Sequence, residues 1–114
     1  MIDLKAYKFD PLWMIEVIEK ALGVAPSIEE HPEIISFLKV ELLKCKLLHT
    51  KLNADGYENN VNFYFIDSKK PNQPGSAWQF KNNIKIFHGT ADLTFDIMKN
   101  DSIGAVEVWY HTRS

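Results

Sequence analysis

The sequence predicts an α+β fold in which two N-terminal helices pack on a C-terminal antiparallel sheet of four or five strands. The first observation is a change of period. Apolar residues recur at the helical spacing of about 3.6 until the turn-forming residues 53–56, and at the strand spacing of 2 after them. The second is a pair of short turns that fix one register across three predicted strands. The third is size, because 114 residues with 46% apolar residues are typical of one domain, here residues 1–114.

The first predicted helix begins after Asp10, whose side chain can accept the free N–H groups of the first turn, with Pro11 at the first helical position. Gly23 is the predicted stop signal. Between them the apolar residues share one side, which is typical of a surface helix lying on a core. That side carries Met14, Ile15, Val17, Ile18, Ala21 and Leu22.

The second predicted helix begins near Pro32 and continues to about residue 48, with apolar residues almost all round. Because such a helix is covered on two sides, we expect it to lie between the sheet and the first helix. Its apolar faces are Ile34, Ile35, Leu38, Leu42 and Cys45 on one side, and Phe37, Val40, Leu47 and Leu48 on the other.

The second half of the chain carries the strand signals. The period of 2 predicts strands at residues 61–66, 78–80, 84–88, 92–98 and 105–111. The prolines of the loop at residues 69–75 exclude it from a sheet, and we expect this loop to be mobile.

The side of the sheet taken by Trp78 and Phe80 depends on the turn that follows them. A two-residue turn at Asn82 and Asn83 places them on the outer side of the sheet. A three-residue loop that includes Lys81 places them in the core. We favour the core, because one face of the sheet then holds most of the apolar residues.

Two turns set the register of the last three strands. Gly89 and Thr90 suit a two-residue turn, and residues 99–102 suit a four-residue loop. Both turns place apolar residues on the same face, and a slip of one residue would move the whole set to the wrong side. The predicted pairs are Ile84 with Phe95, Ile86 with Leu93, Phe95 with Val106, and Leu93 with Val108.

The opposite face of these strands carries the candidate site. The same registers align Phe87, Asp92 and Trp109 in one row, and Lys85, Thr94 and Glu107 in the next, with Asp96 beyond. Large aromatics flanked by acids are typical of a protein-binding patch. The predicted partner-binding residues are therefore Phe87, Asp92, Asp96, Glu107 and Trp109. The other interpretation is that Phe87 and Trp109 stack across the strands for stability alone.

Signatures of catalysis and of cofactor binding do not occur in the sequence. It has no glycine-rich phosphate loop and no GxSxG, CxxC, HxxxH or HExxH pattern, so no catalytic residue, cofactor or metal is predicted. Cys45 and His49 are four residues apart and could share a helical face, but we favour a buried thiol and a histidine near a helix C-terminus. His88 and His111, with the loop at residues 69–75, are the alternative, a small enzyme or ligand binder.

Composition narrows the partners and the compartment. A formal net charge of -2 and a single arginine, Arg113, give no basic field for a phosphate backbone, so no nucleic-acid partner is predicted. No run approaches the roughly 20 apolar residues that span a bilayer, and no membrane partner is predicted. One cysteine, and a start without the features of a signal peptide, predict a cytoplasmic protein.

In overall character the chain resembles the small immunity proteins of bacterial toxin systems, which are often compact, cytoplasmic, mildly acidic and without catalytic residues. The resemblance extends over the whole length through general traits, not through signature residues. It implies a non-enzymatic, antitoxin-type protein that binds and neutralises a toxin domain with a basic surface. The alternative is a homo-oligomeric structural or adaptor domain that closes a dimer through the same face. We therefore expect a monomer or a homodimer.

Overall fold

The computed structural model describes residues 8–25, 33–52 and 60–110. The elements are α1 (Pro11–Glu19), β1 (Gly23–Ala25), α2 (Glu33–Lys44), β2 (His49–Leu52), β3 (Asn60–Tyr64), β4 (Phe80–Phe87), β5 (Ala91–Met98) and β6 (Ile103–Tyr110). The strands form one antiparallel sheet in the order β1-β4-β5-β6-β3-β2. The predicted α+β class is confirmed, with five strands after α2 and a short sixth strand, β1, between the helices. Neither helix within the described ranges is long and apolar enough to cross a membrane.

The first helix begins where the sequence predicts and ends earlier. Asp10 caps it, because its carboxylate accepts the N–H of Trp13 at 3.1 Å. Beyond the end of α1, the N–H of Leu22 donates to the carbonyl of Phe87 at 2.8 Å, so the chain joins the sheet at Gly23 instead of extending the helix. Leu22 is therefore 82% exposed and does not belong to the apolar side of the helix.

The second helix ends four residues before its predicted end, because the chain beyond it enters the sheet. The N–H of Leu48 donates to the carbonyl of Tyr64 at 2.8 Å, and β2 pairs with β3 from His49 onward. The prediction that this helix is covered on two sides is wrong. Val40 and Leu43 are 53% and 63% exposed, since α1 lies beside α2.

The main core lies between both helices and one face of the sheet. Both helices contribute to it directly, because α1 also reaches the sheet, where Trp13 stacks on Tyr110 with ring centroids 5.6 Å apart. On the exposed side of the helices, Lys39 pairs with Glu19 at 3.2 Å. The helical residues of the core are Met14, Val17, Ile18, Ile34, Leu38 and Leu42. We call the opposite side of the sheet, which faces away from the helices, the outer face.

A second, smaller cluster lies on the outer face. Trp78 packs there with Met98 and Ala105, and Phe80 is partly buried against them. The prediction that Trp78 and Phe80 enter the main core is wrong. The turn on which it depends does not form, because β4 continues through Asn82 with only a bulge and stays paired with β5.

The loop at residues 69–75, expected to be mobile, is hydrogen-bonded along its length. The N–H of Asn72 donates to the carbonyl of Trp78, and its side chain accepts the N–H of Phe80, both at 2.8 Å. The Gln79 side chain donates to the carbonyl of Gln73 at 2.6 Å. These bonds hold Trp78 against one end of the outer face.

The side chains of this small cluster, Met98 and Trp78, pack directly against the backbone of Gly104. A Cβ there would lie 2.7 Å from Cε of Met98 and 3.0 Å from Cζ3 of Trp78. We expect Gly104→Ala to lower the free energy of unfolding by about 1 kcal/mol, because the buried Met98 side chain must move to admit the methyl group. Urea denaturation measures this. Gly89→Ala is the control, because a Cβ at Gly89 meets no atom within 4 Å. Equal stability of the two variants would contradict this packing.

Candidate functional site

The central strands place the predicted residues in the predicted order. Asp92 pairs with Phe87 on β4 and with Trp109 on β6, so the three form one row across the outer face. The same row continues to Asn60 on β3. Every register predicted from the two turns is confirmed. The role of these residues in binding stays a prediction.

Two further rows complete the outer face. The middle row runs from Lys85 through Thr94, Glu107 and Asn62 to Lys51. The third row runs from Asn83 through Asp96, Ala105 and Tyr64 to His49. The acids therefore lie at the centre of the face, and the two lysines of the middle row lie toward its edges.

The two aromatic residues of the first row differ in exposure. Phe87 is 42% exposed and Trp109 is half-buried. The helices lie on the other side of the sheet, and the Trp78 cluster occupies the end of the outer face that is farthest from this row. An exposed Phe and a half-buried Trp on the two sides of an acid are a composition found at protein interfaces.

Asp96 has the most perturbed carboxylate of the outer face. It lies opposite Ala105 and two residues from Met98, both of which belong to the Trp78 cluster. Burial, and secondarily the negative charge of Glu107, raise the pKa of Asp96 from 3.8 to about 6. In the part of the chain that the structure describes, no hydrogen bond or ion pair engages Asp96 or Glu107. The carboxylate of Asp96 is therefore partly desolvated without a described donor or cation to compensate it.

The pKa of Tyr64 is also raised in the neighbourhood of these acids. Burial, followed by the charges of Asp96 and Glu107, raises the pKa of its phenol. Its ring is stacked on the imidazole of His49 at 4.6 Å and is tilted against Trp78 at 6.1 Å. His49, Tyr64 and Trp78 therefore form an aromatic group on the outer face, beside Asp96 and Glu107.

The sequence does not predict this aromatic group, for two reasons. Alternation along β3 places Tyr64 on the opposite face of the sheet from Phe63. The pairing of β3 with β6 could not be predicted, however, because a long stretch of chain separates these strands and no turn signal joins them. His49 was assigned to the end of a helix, whereas it begins β2.

The structure does not place Cys45 and His49 on one helical face, as a shared metal site would require. Because α2 ends at Lys44, the two residues share no helical face, and His49 lies on the outer face. The half-buried Cys45 thiol donates to the carbonyl of Glu41 at 3.3 Å, and burial raises its pKa to about 12. Within the described ranges, no group of three histidine, cysteine or acidic residues could hold a metal ion.

Of the two histidines in the predicted enzyme or ligand-binding site, His88 and His111, only His88 is among the described residues. Nδ1 of His88 accepts the N–H of Thr90 at 3.1 Å, and the N–H of His88 donates to the carboxylate of Asp92 at 3.3 Å. His88 is thus engaged in its own turn, and Asp92 helps to close that turn. His111 lies outside the described residues.

No protein-family model matches this chain, and no curated protein or solved structure matches it. The properties of the outer face therefore carry the functional argument.

The unusual pKa of Asp96 predicts a pH-dependent gain of stability on its removal. The folded-state pKa lies above the ordinary value, so the folded chain binds this proton more tightly than the unfolded chain does. The contribution of Asp96 to stability is therefore fully present below about pH 4 and is lost as the pH rises through about 6. We expect Asp96→Asn to raise the free energy of unfolding by about 1 kcal/mol at neutral pH, after allowance for partial exposure, and by nothing at about pH 4.

Urea denaturation at both pH values measures this effect. Asp67→Asn is the matched control, because it removes an exposed carboxylate and leaves an oxygen that can still accept the N–H of Lys69. A stabilisation by Asp96→Asn that is the same at both pH values would contradict the assignment.

Proposed function

We propose that this chain is a non-enzymatic protein-binding domain, a small bacterial immunity protein of the antitoxin type that neutralises a toxin domain through its outer face. The observation that carries the proposal is the row of Phe87, Asp92 and Trp109, with Glu107 in the next row and the partly buried carboxylate of Asp96 in the row beyond. Aromatic anchors supply the energy of an interface, and charged groups supply its specificity and rate.

The charges of the outer face favour a basic partner. Asp96 loses hydration in the free chain, and neither Asp96 nor Glu107 gains a donor among the described residues. A lysine or arginine of a partner would supply both the donor and the opposite charge, so these carboxylates would stabilise a complex more than they stabilise the free fold.

The size of the face suits such a complex. Its three long strands have eight residues each, which is about 26 Å, and six strands at about 4.8 Å spacing span about 24 Å. The resulting plan area of roughly 600 Å², to which side-chain relief adds, is comparable with the roughly 800 Å² that each partner buries in an interface of standard size.

The same charges disfavour the homo-oligomeric alternative. A two-fold dimer through the outer face would bring a second copy of Asp92, Asp96 and Glu107 against the first. Like charges placed together across an interface oppose association, so the face suits a partner of a different chain.

Truncation of Trp109 tests the proposed anchor. The proposal predicts a toxin gene beside the gene for this chain, and the purified toxin domain is the partner to titrate. We expect Trp109→Ala to weaken binding by about 30-fold or more, which corresponds to about 2 kcal/mol. Trp13→Ala is the matched control, because Trp13 stacks on Tyr110 on the helix side of the sheet. It should cost stability and leave affinity unchanged. Parental affinity for Trp109→Ala would reject the outer face as the binding surface.

Reversal of one charge tests the predicted basic partner. We expect Glu107→Lys to slow association with the toxin domain, and the difference to shrink at high salt, because screening weakens long-range attraction. Stopped-flow mixing at low and high salt measures the rate. Glu16→Lys on α1 makes the same change in net charge at a fully exposed position on the helix side. Equal slowing by both variants would show that net charge, and not the outer face, guides association.

A further inference from the structure

We propose that binding at the outer face is linked to a proton on Asp96, so that the affinity for a basic partner falls as the pH drops from neutral to mildly acidic. This inference rests on the proposed function, because it concerns the regulation of the same surface.

The surroundings of Asp96 carry the first step. Asn83 of β4 and Ala105 of β6 lie directly opposite it, and Met98 lies beside it at the edge of the Trp78 cluster. The neighbouring strands contribute the charged and titratable groups of the face. These are Lys85 from β4, Asp92 from β5, Glu107 from β6, Tyr64 from β3, and His49 and Lys51 from β2.

None of the nearby cations neutralises Asp96. Lys85 is opposite Thr94 and makes no ion pair within the described ranges, and Lys81 at the far end of β4 is paired with Asp101 at 2.7 Å. The charged residues of the adjacent loop, which are Asp67, Lys69 and Lys70, are exposed. The group that acts on Asp96 most directly is therefore another acid, Glu107.

Partial burial and a like charge both favour the protonated form of a carboxylic acid. The pKa of Asp96, about 6, places its ionisation within the range of mildly acidic conditions. At neutral pH Asp96 therefore adds a negative charge to the outer face. At about pH 5 most Asp96 side chains are neutral.

A cationic partner shifts this balance. A lysine or arginine against Asp96 favours the ionised form, so the bound state releases the proton that the free chain holds at low pH. If the pKa in the complex returns to about 4, linkage gives an affinity about tenfold lower at about pH 5 than at about pH 7.5.

The experiment uses the full chain and nona-arginine as the cationic probe, at low salt. Carboxyl carbon shifts of labelled aspartate are followed by NMR through a pH titration, with and without the peptide. We expect the midpoint of Asp96 near 6 in the free chain, and a lower midpoint with nona-arginine. A midpoint near 4 in the free chain, or one that the peptide does not move, overturns the inference.

Affinities for nona-arginine at about pH 5 and about pH 7.5 provide the second readout. The parent chain should lose about tenfold more affinity at low pH than Asp96→Asn does, because the variant has no proton to exchange at this position. Asp67→Asn should keep the pH dependence of the parent. Equal pH dependence in the parent and in Asp96→Asn overturns the inference.

Failure of this inference is distinguishable from failure of the proposed function. If Trp109→Ala weakens toxin binding while Asp96→Asn keeps the parental pH dependence, the outer face binds a partner without proton linkage. If Trp109→Ala binds the toxin domain like the parent, the proposed function fails, whatever the titration of Asp96.

Discussion

The fold depends on the common register of β4, β5 and β6. Leu93 and Phe95 face the helices, and their partners on both neighbouring strands are apolar residues of the same core. Because side chains alternate along a strand, this one register also decides the composition of the outer face. A slip by one residue would bury Asp92 and Asp96 beneath the helices and expose Leu93 and Phe95, so core formation and the position of the candidate site are a single constraint.

A bulge modifies this constraint at one end of the sheet. Ile103 belongs to the main core, whereas Ala105 belongs to the cluster on the outer face, and the pairing of β5 with β6 shifts between Asp96 and Ile97. This shift supplies a place for Trp78, which residues 69–79 hold there. Asp96 lies opposite Ala105 at the edge of this cluster and is partly buried there.

The features that could be predicted from the sequence are those set by residues close together in the chain. The turns at residues 89–90 and 99–102 join neighbouring strands, so their lengths alone gave the row of Phe87, Asp92 and Trp109. The short edge strands β1 and β2 have no such signal, and tertiary hydrogen bonds, not helix propensity, determine where the preceding helices end. The partial burial of Asp96 could not be predicted either, because the cluster at whose edge it lies contains Trp78, and the count of apolar residues predicts the wrong side of the sheet for Trp78.

The two faces of the sheet differ in what the fold requires of them. The core face needs apolar residues of fixed size, whereas the outer face needs only residues that tolerate water and an extended backbone. Asp96 does more than meet that requirement, because its partial burial and the negative charge of Glu107 oppose its ionised form in the folded chain, and no described group offsets them. Threonine or asparagine at Asp96 would satisfy the strand without this penalty. This cost lies on the candidate binding face, in the row next to the Trp78 cluster. A stability cost on that face is the pattern of a surface shaped by a partner, and this favours our proposal of a binding protein over a sheet decorated with aromatics for stability alone.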